Sequence, residues 1–250
     1  MSRSNPTSNN PHPCTRWFEF SGQSGTLKYY DKEKKENVDV PLPVTFLWLD
    51  ETATVRGWHD PSESGIVSNE VRDTRSDVMV VRAFKAGELC HGLYAQIRDR
   101  VGNLGGHYSA NVYLGYREAA DGPLKLGCLQ LKGAALNAWV DFKKANLAAV
   151  CKGAVSITGT KDGKKGSVKF KTPVFATKEI KPETNEEATE LDKVLQTYLI
   201  SYFARTKAEQ ASAPPAPEVP ATQFPEYDTP GKAPAAEATP VDMDNLDVPF

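Results

Sequence analysis

The last nine residues, Asp242-Met243-Asp244-Asn245-Leu246-Asp247-Val248-Pro249-Phe250, place alternating carboxylates before a small apolar plug that ends in a free carboxylate. A terminal Phe can enter an apolar pocket on another protein while its carboxylate and the preceding aspartates meet Arg or Lys around the rim. Asp242, Asp244, Leu246, Asp247, Val248, Pro249 and Phe250 are therefore the expected partner-binding residues, with Pro249 stiffening the hook.

The charge of the whole chain, −2, hides an asymmetry. From Ala208 to Phe250 eight acids stand against one base, Lys232, a net of about −7, which leaves about +5 for residues 1–207. A basic body with an acidic tail suggests a polyanionic partner and a tail that competes with it. The tail also holds half of the chain's 18 prolines and many alanines, too little apolar surface to form a core, so it is expected to be an extended tether. Three segments follow: an N-terminal arm over residues 1–16, a folded domain over 17–207 and the tail over 208–250.

The tip resembles that of bacterial and phage single-stranded DNA-binding proteins, whose tails typically end in acids followed by Asp-Ile-Pro-Phe; here Val248 stands in place of the Ile. The resemblance covers about the last ten residues. It implies a tip that recruits replication, recombination and repair proteins, and an oligonucleotide-binding (OB) barrel upstream that holds the strand. DNA occupying the basic body would then release the tail for its partners.

The elements that must position such a site are partly legible. Strands are expected at Trp17–Phe20, Thr26–Tyr30, Val44–Leu49, Thr52–Trp58 and Val78–Lys85, which are rich in Val, aromatics and Thr. Ala86, Leu89, Cys90, Leu93, Tyr94, Ile97 and Val101 fall at helical spacing, with Gly102 as a stop, and strands follow at His107–Tyr116 and Leu124–Lys132. Strands, a helix and two more strands match the order of a five-stranded OB-like barrel, giving a mainly β, α+β domain. Added to it are a short helix at Ala134–Lys143, a hairpin through Ala154–Phe175 turning at Asp162-Gly163, and a helix from Asn185 capped by Thr184 and Glu187. Leu191, Val194, Leu195, Tyr198 and Tyr202 form the stripe that packs this last helix on the domain or, alternatively, on a second subunit.

Holding a single strand requires exposed aromatic faces and nearby cations. Strand parity puts Tyr113 and Arg117 on the more polar face of their strand, and Arg56 and Trp58 on one face of theirs. Tyr29 and Tyr30 sit beside Lys28 and Lys32, and alternation exposes only one of the two. Arg72, Arg75, Arg82 and Lys85 add charge around the fifth expected strand. Lys161, Lys164, Lys165, Lys169 and Lys171 make a basic hairpin that either clamps a strand or keeps a sheet edge from aggregating. Trp48 and Trp139 read as core.

Catalysis finds no motif: no phosphate-binding Gly-Lys-Ser/Thr loop, G-x-S-x-G or H-E-x-x-H occurs, and Asp50, Glu51 and Asp60 read as solvated acids. Cys14, Cys90, Cys128 and Cys151 are dispersed without zinc spacing and are expected to be reduced, mostly buried thiols; neither metal nor cofactor is expected. No segment has the length of a membrane span, which suggests a cytosolic protein of a bacterium or a phage-infected cell. The sequence is thus expected to encode a non-enzymatic, sequence-independent single-stranded DNA-binding protein, as a monomer or homodimer. An alternative is an adaptor or decoy whose tail captures host replication and repair enzymes.

Overall fold

In a computed structural model, residues 12–119 and 121–212 are described. The arm before His12 and the segment from Ala213, with the partner-binding hook Asp242–Phe250, lie outside them.

The chain builds a mainly β domain with three helices. Strands β1 (Arg16–Ser21), β2 (Thr26–Asp31) and β3 (Glu36–Val40) form an antiparallel meander. The 16-residue β4 (Val44–His59) joins two segments expected to be separate strands; a bulge between Trp48 and Asp50 absorbs the expected break. After one 3-10 turn come β5 (Ser64–Ser68), β6 (Met79–Ala83) and β7 (Gly87–Gly92), then α1 (Tyr94–Asn103), β8 (Gly106–Tyr116) and β9 (Lys125–Lys132). Helix α2 (Gly133–Lys152), the hairpin β10 (Ala154–Lys165) and β11 (Val168–Lys178), and α3 (Pro182–Ser212) complete the domain.

The strands form one open mixed sheet of order β3-β2-β1-β9-β8-β4-β5-β6-β7, with the β10–β11 hairpin pairing to the start of β4. Among the described residues β1 and β9 are the one parallel pair. A closed five-stranded barrel is not shown by this strand path.

One face of the sheet carries the main core. Phe18, Phe20, Leu27, Phe46, Val112, Leu114, Leu129 and Leu131 meet Leu136 and the fully buried Trp139 of α2. A second cluster joins Val55, Ile66, Val81 and Met79 to Ile97 and Val101 of α1. The opposite face is covered at one end by α3, where Leu195 and Leu199 bury Tyr113, Leu126 and Cys128. Trp48, read as core, is half-buried against the main cluster. Burying a side chain of this size contributes about 2 kcal/mol, so these three packings account for the positions of all three helices.

Several expectations are corrected. Residues 87–92, assigned to the helix, are the strand β7: Cys90 pairs with Val81, Leu89 is the extra residue of a bulge, and Gly87, at φ +76°, makes the tight turn from β6. Helix α2 is longer than expected and bends at Asn146, whose Nδ2 donates to Phe142 O at 2.9 Å. The hairpin turns at Gly166-Ser167 rather than Asp162-Gly163, because Lys165 pairs with Val168 while Gly163, inside the ladder, lies beneath the Phe170 ring. Thr184 does not cap α3, which starts at Pro182, the expected first-turn position for proline. The buried stripe of α3 runs through Leu195 and Leu199, and Val194 points to solvent at 56% exposure.

Cys14 is half-buried, Cys90 and Cys128 are buried, Cys151 is exposed, and all four are free thiols. Among the described residues no helix is long and apolar enough to cross a membrane.

Candidate nucleic-acid interface

Residues paired across neighbouring strands project to the same side, so the register defines the open face of the sheet. His107 of β8 pairs with Arg56 of β4, Arg56 with Val67 of β5, and Val67 with Arg82 of β6. One step along, Trp58 pairs with Gly65, and Phe84, just past β6, donates its backbone N–H to Gly65 O at 3.2 Å. Two large aromatics thus flank a glycine beside a row holding two guanidinium groups.

Both rings are exposed, Trp58 at 55% and Phe84 at 74%. Gly65 leaves the space between them open: a Cβ there would stand 3.1 Å from the Phe84 ring. Gly105, at φ +86°, fixes the other side, since a Cβ there would collide with Trp58 O. Trp58 N–H donates to Gly105 O at 3.2 Å.

The rings and Arg56 line a depression of about 500 Å³ with His107, Gln130 and Lys132 on its far side. Its cations are partly offset by acids: Lys132 Nζ lies 3.0 Å from Glu19, and Arg82 pairs in register with Glu88. Of the buried polar residues on this face, Ser109 lines the depression, and Thr54, Thr52 and Asn111 continue the face along β4 and β8. Arg56 Nε, in the depression, is buried without a hydrogen-bond partner, an arrangement that an incoming acceptor would relieve.

The sequence-predicted site residues separate into four groups. Arg56, Trp58 and Arg82 come together on the open face. Exposed Lys85 follows Phe84, its N–H held by Ser64 Oγ at 3.2 Å. The hairpin forms a second group: Lys161, Lys164, Lys165 and Lys169 are exposed, while Lys171 is half-buried with Nζ 2.8 Å from Asp162. The hairpin joins β4 at Val44–Phe46, and Lys171 N–H donates to Gly22 O at 2.7 Å, past the end of β1.

Tyr29 and Tyr30 lie on the outer meander, and alternation exposes one as expected. Tyr30 is 56% exposed, whereas Tyr29 packs on the core with the Arg16 guanidinium 4.2 Å above its ring. Arg75 is exposed and bonded to Asp73.

The fourth group is occupied by structural duties. Tyr113 does lie on the same sheet face as Arg56, but α3 covers that end and leaves its ring fully buried; its hydroxyl donates to Glu70 Oε2 at 2.6 Å. Burial and the Glu70 carboxylate push its hydroxyl pKa far up. Stacking on a base is therefore closed to it. Arg117 is held by Glu187 of α3 at 2.6 Å and by Gly122 O. Arg72 is bonded to Asp50 at 2.9 Å and Gln196 at 3.0 Å, with its guanidinium 5.3 Å from the Phe203 ring.

Of the acids read as solvated, Glu51 is buried, accepting from Trp139 Nε1 at 2.9 Å and Lys143 Nζ at 2.7 Å, and Asp50 is tied to Arg72 and Gln196. Both anchor a helix to the sheet.

Three residues of the open face escaped the sequence reading: Phe84, His107 and Lys132. The parity of the strand holding Arg82 places Phe84 on Arg82's side, a signal present in the sequence. Lys132 and His107 reach the face only through long-range pairing.

The chain matches no family model, no curated protein and no solved structure.

Proposed function

We propose that the protein binds single-stranded DNA without regard to sequence, protects exposed strands in replication, recombination and repair, and recruits partner enzymes through its acidic tail tip. The observation that carries this reading is the pair Trp58 and Phe84, exposed on one sheet face beside Arg56 and Arg82. Every base has a π-face and every nucleotide a phosphate, so stacking rings next to cations serve all sequences alike. Solvent-exposed rings of this size, grouped together, are costly to leave without a use.

Two further features support the reading. The basic body and acidic tail have the charge division of a polyanion binder. With β7 as an added strand, the connection order β4-β5-β6, β7, α1, then β8-β9 with β8 paired back on β4, parallels that of the OB barrel, and an elaborated, open relative of that fold is part of the proposal.

The test is fluorescence anisotropy of the full chain with labelled oligo-dT, a matching duplex and RNA of equal length over a salt series. Preference for the single strand is expected, with log affinity falling by about 0.7 per phosphate contact for each tenfold rise in salt. Absence of single-strand binding at low salt overturns the reading and leaves the tail as the functional element, as an adaptor would have it.

A further inference from the structure

A second concavity lies around the corner from the open face. Helices α1 and α2 stand apart over the end of β8 and enclose a groove of about 730 Å³, within the range of sites that enclose a small organic ligand. Its floor is aromatic and aliphatic: Tyr94 and Tyr108 sit with ring centroids 4.9 Å apart, next to Leu136 and Val140. Arg75 and Arg98 also line it, each in a surface ion pair, with Asp73 at 3.3 Å and with Asp99 at 3.7 Å, that an incoming phosphate would share. The one carboxylate among its lining residues, Glu51, is already neutralised by Lys143 Nζ at 2.7 Å. The groove therefore offers apolar surface to sugar and base and positive charge to phosphate, with no unpaired anion to repel it.

His107 and Lys132 line both this groove and the depression beside Trp58. The two concavities meet at the ends of β8 and β9. We infer that the groove between α1 and α2 is a second nucleotide-binding segment, taking the strand that leaves the Trp58–Phe84 platform over His107 and Lys132.

This rests on the single-strand reading above and extends it. The platform alone suits a few nucleotides; a strand that turns into the groove is held longer, so affinity grows with length by an increment that belongs to the groove. Free mononucleotide offers the same chemistry without the connection, and it gains nothing from the platform.

The experiment titrates the full chain, at about 0.15 M salt where charges are screened within about 8 Å, with oligo-dT of about 4 and about 12 nucleotides, and with dTMP. Two variants are compared with the unsubstituted protein. Ala95→Glu with Asn137→Glu puts a carboxylate on each wall of the groove; Ala95 is exposed in the first turn of α1, where an acid suits the helix terminus. Trp58→Ala with Phe84→Ala removes the platform.

The groove variant is expected to lose tenfold or more in affinity for the longer strand and to stay within twofold for the shorter one, and dTMP is expected not to bind measurably. Equal loss at both lengths, no loss at the longer length, or dTMP binding that only the groove variant abolishes overturns the inference. An unchanged short-strand affinity in the platform variant overturns the platform reading while the longer strand still reports on the groove. No binding of either strand by the unsubstituted chain overturns both.

Discussion

Trp58 and Phe84 flank Gly65 from opposite sides on one face of the sheet, two strand spacings or about 10 Å apart. A Cβ at Gly65 would stand 3.1 Å from the Phe84 ring, so the glycine keeps the space between the two rings clear. Between them the backbone is bare, and Arg56 and Arg82 occupy the same strands one step away.

Tyr113 serves stability and not binding. Tyr113→Phe removes the hydroxyl that donates to buried Glu70, leaving that carboxylate with Thr52 Oγ1 as its remaining side-chain donor of this pair. A loss of about 1 to 3 kcal/mol is expected by urea unfolding, with oligonucleotide affinity changed less than twofold. A selective loss of affinity at unchanged stability would restore the stacking role.

The difference between Tyr113 and Trp58 marks where sequence reading reaches its end. Alternation placed both on the correct face, and it also found the strands β1, β2, β8 and β9 and most of their core. It could not know that α3, about 80 residues later, lies over Tyr113 and leaves Trp58 bare, because burial is set by which distant element packs where. Arg72 and Arg117 were drawn off by the same helix, through Gln196 and Glu187. The error at residues 87–92 has a different cause: apolar residues at 89, 90 and 93 fit the helical period, and the bulged pairing of β7 with β6 overrides it.

His12 gives the fold a pH dependence. Its ring sits 4.7 Å from both Trp17 and Tyr198 and stacks on Tyr113, and Nδ1 accepts the Cys14 N–H at 3.2 Å, which requires the neutral form. Burial lowers its pKa to about 4. Below the unfolded value of about 6.5 the unfolded chain binds a proton that the folded chain refuses, so stability falls as pH drops from 6.5 toward 4. Allowing for solvent at this half-buried ring, the loss is on the order of 1 kcal/mol. Urea midpoints at pH 7 and pH 5 should differ more for the unsubstituted chain than for His12→Gln; equal differences would contradict this.

The hairpin lysines act apart from the platform. Lys164 and Lys165 stand at the tip of the β10–β11 hairpin and are not among the residues that line the Trp58 depression. Lys164→Ala with Lys165→Ala, both fully exposed positions, should leave binding of an oligo-dT of about 4 nucleotides within twofold in an anisotropy titration. A larger loss would mean that the short strand lies on the hairpin.

The central claim is that Trp58 and Phe84 stack on bases. Anisotropy titration of short labelled oligo-dT with Trp58→Ala, Phe84→Ala and the double variant tests it most directly, since both side chains are exposed and their removal leaves the core untouched. Each stacked base contributes about 1 to 3 kcal/mol, so each single variant should weaken binding by about five- to a hundredfold and the double variant by more, with unchanged urea midpoints. Affinity equal to that of the unsubstituted protein in the double variant would contradict the account.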